Sequence, residues 1–93
     1  MFSINVTYKA KDKDTLRRFY DDLTAEKIEE VTRTEDGCLL YEFYFSAERD
    51  NELLLVEKWV DRASQERHDM KSHMQKLTEI KERLGIETSI EEV

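Results

Sequence analysis

The sequence predicts a single α+β domain with the element order β-α-β-β-α-α-β. Three observations carry this. Phe2, Ile4, Val6 and Tyr8 alternate with polar residues at the period of a strand; helical periodicity fills the stretches after Asp14 and after Asp61; and two β-prone runs, Cys38 to Phe45 and Glu52 to Val60, lie between them. Ninety-three residues are enough for one core, so the domain is taken as 1–93. The order of elements is that of the ferredoxin-like plan.

In the first strand Ser3, Asn5 and Thr7 interleave with the apolar set, giving the strand two unlike faces. Lys11-Asp12-Lys13-Asp14 supplies a turn and an N-cap. Leu16, Phe19, Tyr20, Leu23, Ile28 and Val31 then predict one helix of about five turns, with a phase drift near Thr24. Glu35-Asp36-Gly37 ends it with a glycine able to take positive φ. A polar turn from Ala47 to Asn51 joins the next two strands as a hairpin. Asp61 caps a short helix to about Met70, and Ser72 is a candidate cap for another from His73 to Leu84, which Gly85 stops. Ile86 to Val93 suits a final edge strand.

The two middle strands are apolar on both faces. Helices on one side of a four-stranded sheet leave the other bare, and a second copy of the chain is the simplest cover, so a homodimer packed sheet against sheet is expected.

Composition excludes several functions. Lys plus Arg number 15 against 22 Asp plus Glu, a net charge of −7 that disfavours a nucleic-acid face. The apolar run Leu53 to Val56 is far short of the ~20 residues that span a bilayer, and the first residues lack the features of a leader, so no membrane association is expected. One cysteine, Cys38, fits a reducing, cytoplasmic setting. Two glycines leave no phosphate loop, and neither a zinc-protease nor a serine-hydrolase motif occurs.

The residues that could carry chemistry are few. His68 and His73 stand five apart, about 140° apart on a continuous helix, so they could ligate one metal only across a helix break, and no metal site is expected. His73 falls on the apolar side with Met70, Leu77, Ile80 and Leu84, near a helix start that opposes a positive charge; it is read either as a neutral base or as a structural histidine. His68 is read as a surface or pocket-rim residue unless the chain breaks at Ser72. Asn5, on the polar face of the first strand, could orient a carbonyl or hydroxyl. Glu57 and Trp59 share a face, a carboxylate that burial would make more basic beside a flat aromatic wall.

Taken in order, Glu35-Asp36-Gly37-Cys38 opening a strand, Glu57-Lys58-Trp59 closing the next, His68 nine residues on and His73 five beyond resemble the antibiotic biosynthesis monooxygenase domains of the dimeric α+β barrel superfamily, quinol monooxygenases among them. The resemblance spans about Phe2 to Leu84. It implies a ferredoxin-like protomer, a dimeric barrel, and a pocket between sheet and helices in which a deprotonated quinol or polyphenol itself reduces O₂, without flavin, haem or metal. It places His73, His68 and Asn5 as catalytic candidates, with His73 as the expected base, and Trp59 and Glu57 as substrate-binding ones. Two departures stand out: Lys11-Asp12-Lys13-Asp14 replaces the Pro-Gly turn common in the family, and Ser72 replaces the usual proline before the second histidine. The expected activity is a cofactor-independent monooxygenase taking a small-molecule substrate and O₂. The alternatives are an isomerase of a phosphorylated sugar on the same fold and a non-catalytic dimer that binds an aromatic or haem-like ligand.

Overall fold

A computed structural model describes all of residues 1–93. In chain order the elements are β1 (Phe2–Lys9), α1 (Lys13–Ala25), α2 (Ile28–Thr32), β2 (Cys38–Phe45), β3 (Glu52–Trp59), α3 (Arg62–Asp69), α4 (Ser72–Leu84) and β4 (Glu87–Glu92). The strands form one sheet in the order β2-β3-β1-β4, every neighbouring pair antiparallel. This is the ferredoxin-like arrangement, with the helices on one face.

Local chemistry explains most boundaries. Asp12 and Asp61 cap α1 and α3, their carboxylates each accepting a backbone N–H three residues on, from Thr15 and Ser64, at 2.8 Å. Gly85, at φ 65°, terminates α4 in the left-handed conformation. The expected single helix after β1 is instead two. Lys27 adopts φ 58° between them, and α2 restarts the helix at a new angle, burying Ile28 and Thr32; the phase drift near Thr24 is the sequence trace of this break. Ser72 is not the cap of α4: Lys71 holds that position without a side-chain hydrogen bond, and Ser72 is the first helical residue.

Register decides what faces what. In β1 and β3, Phe2 lies opposite Trp59, Ile4 opposite Glu57, Val6 opposite Leu55 and Tyr8 opposite Leu53. Directly opposed residues share a face, and this one packs against Leu16, Phe19, Leu23, Ile28, Met74, Leu77 and Ile80 in one core. Tyr41 of β2 joins it opposite Glu57, after a bulge that sets Leu39 out of register. The other face carries Leu40, Tyr44, Leu54 and Val56 beside Asn5 and Thr7, and no part of the chain covers it: Tyr44 is 46% exposed. No helix is long and apolar enough to cross a membrane.

Candidate active site

A cavity of about 310 Å³ lies between the helix-facing side of the sheet and α3 and α4. Ile4, Val6, Met74 and Leu77 form the apolar part of a mixed wall, to which Tyr8, Tyr41, Glu57 and His68 bring polar atoms. No fully buried side-chain nitrogen or oxygen in the protein lacks a hydrogen-bond partner. Among the buried residues on this wall, the unpartnered atoms Tyr8 Oη, Tyr41 Oη, Glu57 Oε2 and His68 Nε2 therefore keep some accessible surface.

Glu57 is buried, and its Oε1 accepts the indole N–H of Trp59 at 3.0 Å. Burial pushes its carboxyl from 4.5 up to about 7; the Trp59 hydrogen bond pulls the other way, and the negative charges of Asp69 and Glu35 add to the rise. A carboxyl poised near neutrality on the wall of a cavity can take or return a proton at physiological pH. The phenols of Tyr8 and Tyr41 are pushed up, chiefly by burial, so both stay hydrogen-bond donors.

Behind the wall stands a second cluster. Glu35 Oε2 is 2.7 Å from His68 Nδ1 and 2.8 Å from His73 Nε2. The chain break that allows this lies at Met70, which caps α3, and Lys71, which is extended at ψ 152°. Without it the imidazoles would diverge; with it they share one carboxylate oxygen. The expectation for His68 is thereby corrected: at 1% exposure it is the deeper of the pair, its ring 4.9 Å from that of Trp59 and 5.5 Å from that of Tyr41. The break is the exception that the angular argument against a shared metal allowed, and across it the two nitrogens and a carboxylate oxygen lie within 4.8 Å of one another. Two imidazoles and a carboxylate could hold a divalent transition ion, although the contacts to Glu35 are of hydrogen-bond length.

Of the residues singled out in the sequence, Glu57 and His68 line the cavity. Trp59, fully buried, braces both without lining it, and His73 connects to it only through Glu35 and then His68. Asn5 is not brought to the site: it pairs with Val56, one residue out of phase with Ile4 and Glu57, and so points to the opposite face of the sheet. Glu35 was not among the candidates, although the Glu35-Asp36-Gly37-Cys38 segment was its signal.

The family model described as antibiotic biosynthesis monooxygenase matches residues 1–79. No curated protein matches the chain. Among solved structures, a Deinococcus radiodurans protein provisionally named an antibiotic biosynthesis monooxygenase is 21% identical over 100% of this chain and 90% of its own, with a TM-score of 0.88. Another structure named antibiotic biosynthesis monooxygenase is 20% identical over 100% and 96%, at 0.80. A conserved protein from Methanosarcina mazei is 25% identical over 100% and 92%, at 0.81. These likenesses establish the fold along the whole chain.

Proposed function

The chain belongs to the antibiotic biosynthesis monooxygenase family, and from that premise we propose that it is a cofactor-independent monooxygenase of a small, electron-rich quinol or polyphenol. The observation that carries the reading is the Glu57 carboxyl, poised at about 7 on the wall of a cavity of about 310 Å³ between sheet and helices. That volume suits one or two fused rings.

In this reading Glu57 or His68 removes a phenolic proton, and the Tyr8 and Tyr41 hydroxyls hold the resulting oxyanion. The anion passes an electron to O₂, the two radicals join at a ring carbon, and the peroxide loses water. One quinol and one O₂ leave as one hydroxyquinone and one water. The acid that returns a proton to the departing oxygen is the group that took it.

A phosphorylated substrate suits the cavity less well, because Glu57 and Asp69 on its wall face a single lysine, Lys81. The proposal includes a homodimer, supported by the apolar residues on the sheet face that the helices leave uncovered. The deciding experiment is O₂ uptake on a panel of hydroquinones under ¹⁸O₂. Uptake above autoxidation with one labelled oxygen in the product is expected; uptake no faster than the protein-free control would overturn the reading.

A further inference from the structure

Glu35 sits in the loop between α2 and β2, and two backbone contacts anchor it. Its N–H donates to Thr32 O at 3.0 Å, and its carbonyl accepts from Cys38 N at 3.1 Å. Gly37, at φ 85°, then lays the loop directly on Ser64 of α3, while Val60 N donates to Gly37 O at 2.8 Å. His68 follows Ser64 by four residues, one helical turn along the same face. The close approach at Gly37 thus sets the Glu35 carboxylate against the His68 imidazole.

An ionised carboxylate only accepts hydrogen bonds. Its Oε2 takes both imidazole contacts, at 2.7 and 2.8 Å, so the protons lie on His68 Nδ1 and His73 Nε2. Each neutral ring carries one N–H, and the hydrogen bond at one nitrogen decides the state of the other. His68 Nε2 is then a lone pair, and it is the imidazole nitrogen of a cavity-lining residue that has no protein partner.

We propose that Glu35 is a positioning residue that holds His68 in the Nδ1–H form, presenting His68 Nε2 to the cavity as the proton acceptor, with His73 fixing the carboxylate through the same oxygen. His73, which the sequence favoured as the base, is then a support for Glu35. The carboxylate also balances the charge His68 gains when it takes a proton, without touching substrate. The catalytic part of this inference rests on the monooxygenase reading above; the tautomer assignment does not.

The test is ¹H–¹⁵N NMR of the full-length protein labelled with [¹⁵N]histidine at pH 8, with steady-state kinetics of Glu35 variants alongside. His68 is expected as the Nδ1–H tautomer and His73 as Nε2–H. Glu35→Gln, whose amide oxygen can still accept both bonds, should keep the tautomers. Glu35→Leu should return His68 to a mixture and lower kcat on the order of 10²-fold with KM within about twofold. A wild-type His68 in the Nε2–H form overturns the inference whatever the activity, and because that spectrum needs no variant, a Glu35→Leu protein that fails to fold leaves the test intact. The correct tautomer in a protein that oxidises no quinol would overturn the function and leave the positioning in place.

Discussion

Gly37 and Ser64 are packed so closely that a Cβ on Gly37 would fall 2.7 Å from the Cβ of Ser64 and 3.0 Å from Val60 Cγ2. The same glycine has φ 85°. Gly37→Ala therefore meets both backbone strain and overpacking, and should destabilise the protein by about 2–4 kcal/mol. Urea denaturation measures this, and a change under 0.5 kcal/mol would mean that the loop does not rest on α3 as described.

Glu57 makes activity and stability respond to pH in opposite directions. To the extent that Glu57 shares the proton transfer with His68, it works only when ionised, so kcat/KM should rise with pH through about 7 and Glu57→Gln should flatten that rise. For stability, a carboxyl raised in the folded state binds more protons folded than unfolded. Its contribution is complete below 4.5 and is lost as pH rises through about 7. The interval corresponds to ~3 kcal/mol, so Glu57→Gln should unfold at higher denaturant than wild type at pH 8 and lose that advantage by pH 4. Equal pH slopes in the two proteins would refute the assignment.

The two histidines should separate in kinetics. His68→Ala should lower turnover about 10²- to 10⁴-fold, and His73→Ala by a smaller factor, because only His68 reaches the cavity. Truncating His68 also leaves a void beside Trp59 and Tyr41, at a cost of about 1–3 kcal/mol. A larger turnover loss at His73 would restore it as the base.

The uncovered sheet face should hold a homodimer. Light scattering at micromolar concentration should give twice the chain mass, and Val56→Asp, a charge placed on that face opposite Asn5, should give a monomer. A monomeric wild type would end this proposal.

Lys27 tests the break between α1 and α2. A non-glycine residue at φ 58° pays for a crowded Cβ, so Lys27→Gly should stabilise the fold by about 0.5–1 kcal/mol, measured by thermal unfolding. A loss of stability would show that the lysine stem contributes more than the conformation costs.

The strands, the N-terminal caps of α1 and α3 and the end of α4 were legible in the sequence because their causes are local. Alternation in β1, the aspartates at 12 and 61 and the glycine at 85 act within a few residues of themselves. So was the pairing of Glu57 with Trp59, two residues apart on one strand and hence on one face. The sequence also marked a second helix break, with Ser72 as its candidate cap rather than Lys71, and made an inward His68 conditional on it; whether that condition is met depends on how α3 and α4 lie on the sheet.

Tertiary structure alone decided the rest. Asn5 and Glu57 are polar residues on neighbouring strands, and only the register of β1 against β3 assigns them to opposite faces, since a shift of one residue would exchange them. Glu35 meets His68 from 33 residues away and His73 from 38, through a loop whose course is set by the contact of Gly37 with Ser64. Periodicity and capping report the conformation of a segment from its own residues; a site assembled from three segments depends on where packing places each, and that information lies in the contacts between them.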